Sequence, residues 1–384
     1  MKKGAAVLLT LVAGVVALAF VSGCEGPAGP AGEEGPAGIN LEGFAEGIQC
    51  ATCHSSEQDT TYNVAGRRFQ WSKSLHATGG HSERNGTTCA GCHTTEGFQQ
   101  RYREGWTTQV VDEVVNPSPP GCFACHSPHA RADFSRRDTN AVTITSFIQG
   151  VPDALFDYGN GNICVRCHQT RTSSAMSPKP DPTKTAITDT IRITSSRWYP
   201  HYGVNGQMLM GTGGFQFVDW TYTGNSNHTS NTIIREEGCP KCHMAEPIGT
   251  GAGMGGGHTM WINYVTESGS TGDVLTGCED AACHGSSISS TDFAGPTTAP
   301  VGAQTAIEAN LDTLKQLLVA RGWLNAATDL VIASSSNPLR IAPESRSGAI
   351  YNYFFIEHEG SKGVHNTLYA YELLRSSIAE MRKP

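Results

Sequence analysis

Apolar positions are distributed unevenly along the chain. Ala5 to Val21 form one continuous run without a charged residue, and no second run of that length follows. Glycine is abundant (44 residues), and Ser/Thr/Asn-rich stretches predict loops in place of a large hydrocarbon core. Near the end a period returns. Ile307, Leu311, Leu314 and Leu318 recur at helical spacing, so residues 305–323 read as an amphipathic helix. Residues 366–382 read as another. Both are expected to pack, not to carry chemistry.

The first apolar run follows Lys2 and Lys3 and ends in small residues. That is the build of a secretory signal peptide, and the run is marginal for a membrane-spanning helix. Val21-Ser22-Gly23-Cys24 resembles the bacterial lipobox. The resemblance implies cleavage before Cys24 and acylation of that residue, which becomes the lipid attachment point. One acyl chain binds a bilayer only marginally, whereas three would hold the protein without a transmembrane helix. Glu25 stands where an aspartate often marks inner-membrane retention, so the expected destination is the outer membrane. Gly26, Gly29, Gly32, Gly35 and Gly38 are spaced by three, with Pro27, Pro30 and Pro36 among them. Five such glycines are too few for a collagen helix, and the segment reads as a polyproline-like spacer.

Composition leaves a gap to fill. About 360 residues after the signal peptide suffice for two or three domains. Apolar content is only 38%, so something besides side chains is expected to fill the interior. The formal charge of −8 argues against a nucleic-acid partner.

Thirteen cysteines are present, and twelve come in pairs followed at once by histidine. Five are C-x-x-C-H motifs: Cys50/Cys53/His54, Cys89/Cys92/His93, Cys122/Cys125/His126, Cys164/Cys167/His168 and Cys239/Cys242/His243. The sixth, Cys278/Cys283/His284, has a four-residue spacer. C-x-x-C-H is the attachment signature of c-type haem. The thiols form thioethers to the porphyrin, and the histidine reaches the iron from one face. A single copy would also fit a redox or zinc motif. Six copies in an exported chain leave little room for that, and disulfide pairing would not demand the histidines. Motif starts lie 39, 33, 42, 75 and 39 residues apart, a loose repeat. The expected cofactors are six haem c groups. The expected fold is a multihaem cytochrome c, mostly short α-helices and long loops packed around the haems, with little β-structure. Without haem the chain is not expected to fold. The expected organisation is a lipoprotein signal peptide at 1–23, a lipid-anchored spacer at 24–45, a hexahaem domain at 46–290, and a C-terminal helical segment at 291–384 that completes it.

Each haem iron has a second axial position. Of 14 histidines, six belong to the motifs, leaving His76, His81, His129, His201, His228, His258, His358 and His365. His129 stands three residues after His126, so both point the same way on a helical turn. It is therefore assigned to a neighbouring haem. His76 lies 13 residues before Cys89 and His228 lies 11 before Cys239. His258 follows the glycine-rich 249–257 stretch, where small residues let the backbone approach a macrocycle. Met208, Met210, Met254 and Met260 are alternative ligands, and a methionine would raise the potential of its haem. His81 and His358 are left over, and His358, between Glu357 and Glu359, reads as solvated.

Pro200-His201-Tyr-Gly, Gln207 to Gly214, Gly238 to Met244 and Ser361-Lys-Gly-Val-His365-Asn366 resemble segments of the outer-membrane multihaem cytochromes c of metal-respiring bacteria and related nitrite reductase-like proteins. The resemblance covers the haem region and the C-terminal tail, but neither the spacer nor residues 285–340. It implies distal-ligand roles for His201, His228, His258 and His365, alongside His76 and His129.

Electron transfer is the expected function, since irons with both axial positions filled offer a substrate no site. The expected setting is a lipid-anchored relay at the outer membrane, facing the periplasm or the cell surface. Expected partners are other cytochromes, outer-membrane porin-cytochrome components or metal oxides. A multihaem reductase of a nitrogen or sulfur oxyanion is the alternative. The nitrite reductases replace the motif histidine of the catalytic haem by lysine, and no C-x-x-C-K occurs here. A polymerising nanowire subunit is a third reading, which the lipobox opposes. No catalytic residue is assigned.

Overall fold

The computed structural model describes residues 61–78, 83–106, 112–170, 176–222, 224–246, 253–285, 288–293 and 302–384. Chain contacts separate residues 1–44 from a unit of Ala45–Pro384, and the description concerns the second. Cys24, the first motif (Cys50, Cys53, His54) and His81 lie outside the described residues.

Most of the secondary structure is short helices joined by loops, with little sheet. Helix α1 spans Val64–Ser72, α2 Thr95–Arg103, α3 Ala303–Ala320, α4 Gly348–Glu359 and α5 Thr367–Arg382. Six three-residue strands form three antiparallel pairs. β1 (Val142–Ile144) pairs with β2 (Ala154–Phe156), placing Val142 opposite Phe156. β3 (Ile191–Ile193) pairs with β6 (Leu339–Ile341), placing Ile191 opposite Ile341. β4 (Asn263–Val265) pairs with β5 (Thr271–Asp273). No described helix is long and apolar enough to cross a membrane.

The two periodic segments are helices, α3 and α5. α3 buries Ile307, Leu311, Leu314 and Leu318, the four residues that carry its pattern. Its first amides are capped from a distance: Asp292 Oδ1 accepts from Gln304 N (2.7 Å) and Thr305 N (3.2 Å). α5 starts on Asn366, whose side chain accepts from Tyr369 N at 3.3 Å.

α4 is the element that periodicity does not reveal. Its sequence, GAIYNYFFIEHE, is apolar on nearly every face, and the helix is buried nearly all round. Its one central polar residue is satisfied. Asn352 accepts from Phe215 N (2.7 Å) and donates to Phe215 O (2.8 Å) and Ser377 Oγ (3.0 Å). Helices α3, α4 and α5 pack on one another, on β3 and β6, and on residues 147–217 around Trp198, Met208 and Phe215. This hydrocarbon core is larger than the average composition implies, because the apolar residues are concentrated in it. A second cluster joins β1 and β2 to Val165, Leu209 and Ile234. It supports the Cys164 motif, and α4 and α5 support the segment between them that carries His365.

Candidate metal centres

Four of the five described motifs fold back on themselves in the same way, and the fifth, Cys239–His243, is a short helix. The amide of the motif histidine donates to the carbonyl of the first cysteine in His93→Cys89 (3.1 Å), His126→Cys122 (2.9 Å), His168→Cys164 (2.9 Å) and His284→Cys278 (3.2 Å). The longer spacer of the last motif is absorbed without losing that closure. Asp280 Oδ1 accepts from Ala282 N at 3.0 Å and folds the two extra residues outwards. Neighbouring elements then fix each turn. Thr94 caps α2 through Gly97 N at 3.0 Å, and α2 lies so close to the Cys89 motif that a Cβ on Gly97 would stand 2.4 Å from Ala90 O. Arg137 donates to Phe123 O (2.7 Å) and His126 O (3.0 Å). Arg166, within the fourth motif, forms a buried ion pair with Asp138 at 2.7 Å and lies over the Trp106 ring.

Five motif histidines each face one histidine from elsewhere in the chain. Ring centroids are 6.3 Å apart for His93 and His201, 6.3 Å for His126 and His258, and 6.0 Å for His168 and His76. They are 5.9 Å apart for His243 and His365, and 6.0 Å for His284 and His228. An imidazole nitrogen sits about 2 Å from a first-row metal and about 1 Å from its own ring centroid, so two imidazoles trans on one metal have centroids about 6 Å apart. Edge-to-face aromatic packing also reaches this distance. Packing alone gives no reason for every pair to join one motif histidine to one non-motif histidine.

Seven of these ten rings have a described contact at Nδ1. The acceptors are Ser135 O for His126 (3.3 Å), Asn205 Oδ1 for His168 (3.2 Å), Tyr202 O for His201 (2.9 Å), Val364 O for His228 (2.8 Å) and Met260 O for His243 (3.1 Å). Met260 Sδ lies 2.9 Å from Nδ1 of His76, and Glu359 Oε1 accepts from Nδ1 of His365. An Nδ1 held by an acceptor leaves the Nε2 lone pair for a metal. Burial lowers the pKa of His126, His168 and His228, and takes His76, His243 and His258 down to about 4. These rings are neutral donors at pH 7. His365 differs. Burial would lower its pKa, but Glu359 raises it above the ordinary value.

The cysteines of different motifs meet. Thiol hydrogen bonds join Cys92 to Cys167, Cys164 to Cys239, and Cys242 to Cys278. The described motif cysteines are free of disulfides. Among the described residues no three His, Cys, Asp or Glu side chains converge on one metal position. The donor sets are therefore two imidazoles with a cysteine pair alongside, which fits a metal whose other positions come from a planar macrocycle. Apolar side chains stand at the surface beside these donors, with Leu75 next to His76 and Tyr202 next to His201 each more than 60% exposed.

The remaining sequence candidates fall as follows. His129 is on the turn Pro128–Arg131, its ring 5.6 Å from that of Phe123. Met208 is buried in the hydrocarbon core and Met260 lies against His76. His358 is not solvated. It stacks on Tyr202 at 3.8 Å, donates from Nδ1 to Pro200 O at 3.0 Å, and burial takes its pKa down to about 4. Glu359, beside it, is buried too. Sequence reasoning passed over Asn205, took Glu359 only as a neighbour of His358, and took Met260 as an alternative ligand where it is a partner of His76 and His243. Glu359 did give a signal, a carboxylate six residues before a ligand candidate.

The fold is thus one of short helices and loops around clustered cysteine pairs and facing imidazoles. No protein-family model and no curated protein matches the chain. Among solved structures it is similar to the crystal structure of outer cell wall cytochrome OcwA, at 18% identity and a TM-score of 0.43, over 82% of this chain and 50% of that one. The chain spans half the length of that protein, and at this TM-score the likeness carries no argument about what the chain does.

Proposed function

We propose that this protein is an electron-transfer cytochrome carrying six bis-histidine c-type haems. The observation that carries the reading is the set of five facing pairs, each joining one motif histidine to one other histidine at 5.9–6.3 Å. The haem, when bound, supplies a one-electron ferric/ferrous couple. Cys89 and Cys92, and the equivalent cysteines of the other motifs, would hold it by thioethers. The histidine pairs would close both faces of the iron. His129 is proposed as a distal ligand of a neighbouring haem, outside the five pairs.

The thiol contacts support a relay order. The motifs at Cys89, Cys164, Cys239 and Cys278 follow one another in space, with the Cys122 motif beside Cys164. Close cofactors with filled axial positions suit electron passage and leave a substrate no open iron. The lipobox supports attachment through Cys24 to the outer membrane, where the partners would be other cytochromes, porin-cytochrome components or metal oxides.

Mass spectrometry of the purified mature protein tests the assignment. Six haem additions and an acylated N-terminal Cys24 are expected. Motif cysteines found as free thiols, zinc ligands or disulfides would overturn it. A Cys24→Ser variant is expected in the soluble fraction with its haems intact.

A further inference from the structure

Of the seven ligand histidines with a described Nδ1 contact, His365 alone is held by a carboxylate. Glu359 is the last residue of α4 and only 3% exposed. Its Oε1 accepts from His365 Nδ1, and its Oε2 accepts from Ser361 N (3.0 Å) and from the Ser361 hydroxyl (2.6 Å). Asn205 ties this group to the neighbouring motif. Its Nδ2 donates to Glu359 O (2.7 Å) and reaches Oε1 (3.4 Å), while its Oδ1 meets His168 Nδ1 at 3.2 Å. Met260 ties the same two centres on another side, its sulfur on His76 and its carbonyl on His243.

On the reading of the His243–His365 pair as axial haem ligands, we propose that Glu359 is a positioning residue that lowers the potential of this iron below that of the neighbouring His168–His76 centre, whose two ligands both meet neutral acceptors. An anionic acceptor draws the Nδ1 proton, makes Nε2 a stronger donor, and places a full negative charge near the metal in a poorly screened site. Each of these favours the ferric over the ferrous state. The other six ligands with a described Nδ1 contact are held by carbonyl, amide or thioether acceptors, which carry no formal charge. The step affected is uptake of one electron by the iron from an adjacent haem, with no bond made or broken. Because the Cys239 motif lies between those of Cys164 and Cys278, the route would climb in free energy on passing from the His168 centre to this one, with Asn205 coupling the two.

The test is a redox titration of the full, haem-loaded protein followed by optical and EPR spectra, comparing the wild type with Glu359→Gln. In E359Q one low-spin ferric component alone should move upwards, by at least a tenfold change in reduced-to-oxidised ratio at fixed potential, about 59 mV for one electron. A titration in which every component is unchanged, in a variant with its full haem complement, overturns the inference, as does a downward shift. Ser361→Ala provides the second arm if E359Q does not accumulate. It leaves the charge in place, removes one donor from Oε2 and strengthens Oε1 as an acceptor, so the same component should move down at least twofold in that ratio. No shift, or an upward one, overturns the inference. Haem counting of each preparation separates this failure from that of the cytochrome reading, in which the motifs would carry no haem at all.

Discussion

At the scale of single residues, local environment makes chemically identical histidines behave differently. His358 and His365 are seven positions apart in sequence. One stacks on Tyr202 and donates to a neutral carbonyl, whereas the other meets a buried carboxylate. Their pKa values accordingly move in opposite directions. For His358 the folded value of about 4 lies below the unfolded 6.5, so folding favours the neutral ring. The resulting stabilisation is complete above pH 6.5 and is lost as the pH falls from there to about 4. His358→Phe keeps an aromatic face for Tyr202 and has nothing to protonate. Denaturant unfolding across pH 4–6.5 should therefore show a shallower loss of stability than wild type, smaller by up to about one proton's worth of slope. An identical slope would contradict the account of this residue. The sequence identifies histidine as the abundant donor type, but not which histidine faces which. His76 faces His168 across α2 and two motifs, and no local spacing encodes such a contact.

At the scale of elements, close backbone packing holds the motifs in place. The Cys89 turn and α2 touch at Gly97, where a side chain has no room. Gly97→Ala would gain about 1 kcal/mol of helix propensity but would press a methyl group into a backbone carbonyl, at a cost of about 1–3 kcal/mol. The expected result is a net loss, read as a lower denaturation midpoint. Greater stability would show that the contact relaxes freely. Helices α3 and α5 were legible because their apolar residues recur with a helical period, and their ends fall within three residues of the expected ones. α4 was not legible, since a helix apolar on all sides has no period to detect. The motifs were legible as a cysteine–histidine repeat but not as packed elements. Gly97, the capping residue Thr94 and the Arg166–Asp138 pair become meaningful only once their partners are known.

At the scale of the whole molecule, two kinds of interior lie side by side. One is the hydrocarbon core of α3, α4, α5 and the segments around Trp198 and Phe215. The other is the motif region, where short turns meet through cysteines and paired imidazoles, with only small apolar clusters beneath. Average composition hid this division and led to the expectation that something besides side chains must fill the interior. The loss of haem should therefore act unequally. Limited proteolysis of chain produced without haem attachment should cut first within 83–285 and later within 303–384. Simultaneous cleavage of both regions would mean that the helical core also depends on the cofactor.

The central claim is that every iron is closed on both faces by imidazole. It is tested most directly by EPR and magnetic circular dichroism of the purified ferric protein, quantified against its haem content. The account predicts six low-spin bis-imidazole haems per chain and no binding of cyanide or nitrite. A substantial high-spin population, or a haem that readily takes up either anion, would contradict it and favour a reductase.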